Sequence, residues 1–398
     1  MRYVSILALS VSYWIGWLAG AASGSRRRKS HPERQDLVAI GTFHNPNWVQ
    51  AHVIPLRDAC AGQMYLVTDS PLGVDGVHEI IAPAWMQKLF SRAGAKFIVT
   101  LRHCLKRKPR MIVGYHIFPA GIITIIVSAL AGCRACYQVT SGALQIEGGG
   151  YKSENTVLAN LARPSKLVER LAIRMTRCFD LLVVRGSNAE NYLRANGVRC
   201  EIVTITGSVR YPDTVAPLAA RPWDVMFVGR LTEYKRPDRL IKVLGKVAAG
   251  KPDVQVALVG DGPDREELEG MVAELGIGDN VNFLGRRADV LDLQQTAKIF
   301  ILTSRWEGVS IALLEAMCSG TVPVVSNVGD MADFVINDET GYLVEQDDID
   351  DYARRLLAIL ADDALWNTLS ANARAISTRR VGVNEVVEMW QDAIYGEV

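Results

Sequence analysis

Two α/β domains, each a Rossmann-like parallel sheet, are predicted for this chain of 398 residues, preceded by a membrane-spanning segment. Three observations carry that prediction. Short apolar, β-branched runs alternate with helix-length stretches, the βαβ signature of parallel sheets. In the second half, strand after strand ends in glycine. Between the halves, Pro212, Pro217 and Pro222 break the pattern and mark a linker over 210–222.

The amino terminus comes first. Residues 3–22 carry no charge, about the length that crosses a bilayer as a helix, and Arg26, Arg27, Arg28 and Lys29 follow at once. Basic residues after the span predict a single-pass anchor over 1–35 with the rest of the chain on the cytoplasmic face. The rival is a cleaved signal peptide, favoured by the small residues Ala19, Gly20 and Ala21. Against it, only Arg2 precedes the apolar core. A first core strand at residues 3–9 is rejected, because LVAIG at 37–41 is the better first strand.

The first domain is read over 36–209. Its expected strands are 37–41, 64–68 (MYLVT), 111–115 (MIVGY), 135–140 (ACYQVT), 181–185 (LLVVR) and 202–206 (IVTIT). Between the second and third lies a basic stretch, 85–110. Lys88, Arg92, Lys96, Arg102, Lys106, Arg107 and Lys108 are interleaved there with Leu89, Phe90, Phe97, Ile98, Leu101 and Leu105. It fits a helix lying on an anionic membrane, or equally a solvated helix with its apolar face in the core. His116 follows the strand at 111–115, at the carboxyl end where open α/β sheets place ligands, although a lone histidine is often structural. Cys133 and Cys136 have redox spacing, but the apolar strand around them makes them core residues.

The second domain is read over 223–378. DVMFVG at 224–229 is a strand and glycine turn, followed by a loop with Arg230 and Lys235 ahead of a helix opened by Pro237. Arginine offers a planar fork to phosphate oxygens and lysine a mobile point charge, so Gly229, Arg230 and Lys235 suit a diphosphate. VALVG at 256–260 and VNFLG at 281–285 repeat the strand–glycine unit. KIFILT at 298–303 then runs into Glu307, Gly308 and a helix carrying Leu313, Leu314 and Met317. Glu307 and Glu315 stand eight positions apart. On one helix they would be about 80° apart and would not share a face. With Glu307 in the loop and Glu315 in the second turn, both can approach the helix N-terminus, where the amides of Val309, Ser310 and Ile311 form an anion site. The alternative is two acids placed by capping and the helix dipole.

In order, spacing and chemistry, these four motifs closely resemble the C-terminal domain of the family 4 retaining glycosyltransferases of the GT-B fold, from about residue 223 to residue 360. The resemblance implies two Rossmann-like domains facing across a cleft, the first binding an acceptor and the second a nucleoside diphosphate sugar. It implies that Arg230 and Lys235 hold the donor diphosphate, while Glu307 and Glu315 hold the sugar and the ribose. It also suggests that the amphipathic tail 379–398, with Val386, Val387, Trp390 and Ile394 at helical spacing, crosses back to the first domain. In the N-terminal half the pattern departs from the family. Ser141 stands where many members carry a histidine, and the paired-glycine turn after the first strand is replaced by a stretch containing His44 and Asn45. His44, His116 and Glu147, the last in a glycine-rich loop at 145–151, are the acceptor-side candidates.

Composition narrows the rest. A hydrophobic content of 49% supports two cores, and a net charge of +1 hides a basic first third and an acidic stretch over 253–363. No basic strand pattern interleaved with aromatics speaks for nucleic acid. Seven irregularly placed cysteines suit a reducing compartment. Asp348 and Asp350 have the D-x-D form of metal-bound sugar nucleotides, but their place before a helix makes them caps, so neither a metal nor another cofactor is expected. The expected activity is transfer of a sugar from a nucleoside diphosphate donor to a lipid-linked or saccharide acceptor in cell-envelope or exopolysaccharide synthesis. The alternatives are a sugar-nucleotide epimerase of the same fold and an inactive donor-binding membrane subunit.

Overall fold

The computed structural model describes residues 31–43, 46–140, 142–151, 158 and 163–396. The chain divides into two compact units, residues 1–208 with 384–398, and residues 209–383. Residues 210–222, read as a linker, thus fall in the second unit.

The first unit runs β1 (Leu37–Ile40), α1 (Pro46–Ala59), β2 (Met64–Thr68), β3 (Val77–Ile81), α2 (Ala84–Arg107), β4 (Met111–Tyr115), α3 (Ile122–Ala131), β5 (Arg134–Gln138), α4 (Lys166–Thr176), β6 (Leu181–Val184), α5 (Ser187–Ala195) and β7 (Glu201–Thr204). The second runs β8 (Trp223–Val228), α6 (Pro237–Gly250), β9 (Val256–Val259), α7 (Arg265–Glu274), β10 (Val281–Gly285), α8 (Val290–Gln294), β11 (Ala297–Leu302), α9 (Ile311–Cys318), β12 (Val322–Ser326), β13 (Tyr342–Val344), α10 (Ile349–Ala361) and α11 (Asp363–Val381). The last helix, α12 (Val383–Tyr395), packs with the first unit.

Every strand pairing is parallel. The first sheet has the order β3-β2-β1-β4-β5-β6-β7 and the second β10-β9-β8-β11-β12-β13. Both are doubly wound, with the order reversing between β1 and β4 and between β8 and β11. Ligands of such sheets bind outside the carboxyl ends of the strands at that reversal. Sidedness follows from the period of two along a strand. Leu37 and Ala39 of β1 join a core with Leu66, Val113 and Trp390, while Val38 and Ile40 join one with Val67, Ile112 and Ile123. The guanidiniums of Arg110 and Arg134 donate to the Ile394 and Ala393 carbonyls at 2.9 and 3.3 Å, fixing the end of α12.

Two strands escaped the sequence reading. β3 is a half-exposed edge strand interrupted by His78 and Glu79, and β12 carries Pro323, which argues against a central strand. The other expected strands are present within one or two residues of their expected ends. Cys133 and Cys136 are buried, and burial pushes the Cys136 thiol far up. The Asp348 carboxylate accepts the Asp351 amide at 2.9 Å and so caps α10. Among the described residues no helix is long and apolar enough to cross a membrane. The span expected at 3–22 lies outside the described residues.

Candidate functional site

The second sheet presents the carboxyl ends of β8 and β11 side by side at its reversal point. Arg230 and Lys235 follow β8, and Glu307 follows β11. The loops beneath them are laid backbone on backbone. Gly229 N–H donates to the Val259 carbonyl at 3.0 Å, Gly260 N–H to Gly285 at 2.8 Å and Leu231 N–H to Asp261 at 3.1 Å. Gly260 has φ +135, and a Cβ there would stand 1.8 Å from the Gly229 oxygen. No other residue type permits that approach.

Onto this floor the sequence builds a charged rim. The Lys235 ammonium is ion-paired with Glu307, both side chains 12% exposed. The Ser304 hydroxyl donates to the same Glu307 oxygen at 2.9 Å. The loop carrying Lys235 is pinned to the end of β11 twice, since Thr303 Oγ1 donates to the Arg236 carbonyl at 2.8 Å and Arg305 N–H to the Tyr234 carbonyl at 2.8 Å. From the other side, Gly329 at φ +58 lets the chain press against the Glu307 carbonyl, and Asp330 N–H donates to Gly308 at 3.1 Å. Arg230, by contrast, is exposed, and its guanidinium has no partner among the described residues.

The helix after Glu307 begins at Ile311. Ser310 is its cap, its hydroxyl accepting the Leu313 amide at 3.4 Å. None of the amides of Val309, Ser310 and Ile311 donates to an acceptor among the described residues, so they remain available to an anion. At the far end, the buried Arg221 donates to Ser319 O at 2.8 Å and to Ala297 O at 2.5 Å, and stacks 5.1 Å from the Trp366 ring. Arg374 donates to Cys318 O. Two cations therefore face the C-terminal carbonyls of α9. Glu315 lies in the second turn, half-buried, its carboxylate with no hydrogen-bond partner among the described residues, and burial pushes that carboxyl up to about 7. The structure thus brings Lys235 and Glu307 into contact and leaves Arg230 and Glu315 unpaired.

In the first unit the carboxyl edge gathers polar groups around His116, the one the sequence reading singles out there. His116, at φ +66 after β4, has Nδ1 3.2 Å from Gln145 Nε2 and 3.5 Å from Thr140 Oγ1. Gln138, ending β5, places Nε2 3.1 Å from His52 Nδ1. Arg185, after β6, donates to the carbonyls of Thr206 and Thr140 at 2.9 and 3.2 Å. Burial, and then the charge of Arg185, holds the fully buried His52 well below the ordinary histidine range, so its ring is neutral. Glu147 is exposed, and its loop is tied instead through Glu169, which accepts Gly148 N–H at 3.2 Å. His44, Asn45 and Ser141 lie outside the described residues.

Comparison with known proteins places this geometry in a class. Residues 215–376 match the family model of glycosyl transferases group 1. An uncharacterized glycosyltransferase of Haemophilus influenzae is 31% identical over 168 residues, 42% of this chain and 47% of that protein, so the match spans about half of that relative. The UDP-Gal:alpha-D-GlcNAc-diphosphoundecaprenol alpha-1,3-galactosyltransferase of Escherichia coli is 24% identical over 316 residues, 75% of this chain and 79% of its own. Among solved structures, Anabaena HepE in complex with UDP-glucose superposes with a TM-score of 0.70 at 18% identity, covering 89% of this chain and 98% of that one. The lipopolysaccharide outer core galactosyltransferase WaaB in its apo form gives 0.71 at 16% identity, covering 91% and 100%. The two doubly wound parallel-sheet units are those of the GT-B fold. The match to the glycosyl transferases group 1 model falls on the second unit.

Proposed function

We propose that the protein is a retaining, metal-independent glycosyltransferase. It moves a sugar from a nucleoside diphosphate donor to a hydroxyl of a lipid-linked or saccharide acceptor in cell-envelope or exopolysaccharide synthesis. The observation that carries the reading is the rim at the β8–β11 reversal, with a free guanidinium at Arg230, an ion-paired Lys235, and the open amides of Val309, Ser310 and Ile311 beside Glu307. Cations and amides there match the charge of a diphosphate, which grows as the glycosidic bond to phosphate lengthens. Glu307 faces the sugar, where positive charge develops, and Glu315 accepts from the ribose hydroxyls. The bond from the anomeric carbon to the phosphate oxygen breaks and the bond to the acceptor oxygen forms on the same face. The acceptor proton passes to the departing diphosphate, so the protein supplies no nucleophile.

The relatives support the acceptor class, since the Escherichia coli protein acts on a diphosphoundecaprenol-linked sugar by its name. In this reading the chain works at the cytoplasmic face of the membrane, held by residues 3–22, with no nucleic-acid partner. The test is a thermal-shift and calorimetric screen against nucleoside diphosphates and their sugars, followed by donor turnover. Saturable binding with slow release of nucleoside diphosphate supports the transferase. Binding without turnover points to a donor-binding subunit, and release of an isomerised nucleotide sugar to an epimerase.

A further inference from the structure

The helix α2 is two pieces. Ser91, at φ 64 and ψ 166, is not helical and separates residues 84–90 from the rest. The trailing piece buries Ala95, Lys96, Thr100 and Cys104, a face at helical spacing. The leading piece buries nothing. Trp85 is 61% exposed, Leu89 68% and Phe90 46%, three large apolar side chains within six residues. Scattered exposed hydrophobics need no explanation, but a cluster at the start of one helix does.

Charge selects what covers it. Between Ile80 and Ile146 the sequence holds nine lysines and arginines and no carboxylate. Four of the nine are engaged internally, Arg107 by lying 5.6 Å over the Tyr65 ring. Lys96 pairs with Asp69 at 2.8 Å, Arg134 with Glu201 at 3.0 Å, and Arg110 donates into α12. Lys88, Arg92, Arg102, Lys106, Arg107 and Lys108 are exposed, and none forms a salt bridge among the described residues. Lys88 and Arg92 flank the apolar cluster directly. A second copy of the same face would bring like charges together across a two-fold axis. An anionic bilayer complements both features, because aromatic and leucine side chains enter at the headgroup level while lysine and arginine stay among the phosphates.

We propose that residues 84–90, with Lys88 and Arg92, form a docking surface for an anionic lipid bilayer. The sequence reading offered the whole stretch 85–110 to a membrane or, equally, to solvent; in the structure three of its four exposed large apolar side chains, Trp85, Leu89 and Phe90, lie in the two turns before Ser91, and the fourth is Leu105. The surface is independent of donor chemistry and of any anchor in the first thirty residues.

Hydrogen exchange on the full chain tests it, because the readout is local. With vesicles containing phosphatidylglycerol, amides 85–92 exchange more slowly, while pure phosphatidylcholine vesicles leave them unchanged. The double variant Lys88→Glu, Arg92→Glu loses that protection, and its partitioning falls at least ~25-fold, at about fivefold for each basic residue removed from the surface. Unchanged exchange at 85–92 in chains that sediment with phosphatidylglycerol vesicles would overturn the proposal. So would protection that appears with rising protein concentration and no lipid, which would identify a second copy as the occupant. Failure of nucleotide binding in the same preparation would sink the transferase reading alone, leaving the exchange result intact.

Discussion

Lys235 and Glu307 meet as an ion pair although 72 residues separate them. The pairing follows from the sheet order, which sets β8 beside β11 and so places their following loops together. It holds a mobile cation at the rim before any substrate arrives. Replacing Lys235 or Arg230 with Ala should each lower turnover ~10²–10³-fold, the usual loss for one preorganised charge-stabilising donor. Steady-state rates on both variants check this, and near-normal rates in the two together would remove the diphosphate assignment.

The two carboxylates should divide their labour. Glu315→Gln should weaken binding of the bare nucleoside diphosphate by ~1.5–3 kcal/mol, the usual value of a hydrogen bond to a charged group. Glu307→Gln should depress the rate more than it weakens that binding. Calorimetry beside steady-state kinetics separates the two. If Glu307→Gln lost nucleotide affinity and Glu315→Gln kept it, the roles are reversed.

Glu315 also predicts a pH dependence. Burial raises its carboxyl to about 7. A raised native value means the proton-bound form is the stabilised one, so its contribution is complete below the ordinary carboxylate range and fades as pH rises through about 7. Without nucleotide, Glu315→Gln should therefore be more stable than the wild type at pH 8, by up to about 3 kcal/mol, and indistinguishable near pH 4.5. Chemical denaturation at the two pH values checks it, and a pH-independent difference would show that Glu315 is not ionising in place.

Arg221 is a buried cation with no carboxylate partner among the described residues, its guanidinium met by the Ala216, Ala297 and Ser319 carbonyls and Thr321 Oγ1. Burial pushes it down to about 10. Arg221→Ala should cost at least ~3 kcal/mol, since several buried carbonyls lose their donor at once. The loss should fall on the melting of the second unit, followed by calorimetry, with the first unit's transition unmoved.

The full-length chain should fractionate with membranes and be open to protease only from the cytoplasmic side, and removing residues 1–25 should leave both sheets folded. Recovery of a processed protein outside the cytoplasm would reverse the orientation.

The second unit's candidate site was readable from sequence because its residues are local. Arg230 and Lys235 sit within seven residues of a buried strand, and Glu307 and Glu315 bracket one glycine turn, so strand, turn and helix signals reveal them. Beyond His116, the first unit's polar edge was not readable, because His52, Gln138 and Arg185 come from three distant segments and only the strand order unites them. Pro323 hid β12 behind a rule about central strands, and Arg221 lay inside the stretch read as a linker, although Trp366 and the end of α9 close over it.

The floor beneath the rim is made of peptide groups from Gly229, Gly260 and Leu231, with a glycine at 260 that no side chain can replace. A surface of that kind has no vocabulary to change. On the proposed transferase reading, divergence toward a new donor sugar would fall on the rim loops, while the backbone under them would keep one shape for any sugar joined to a diphosphate.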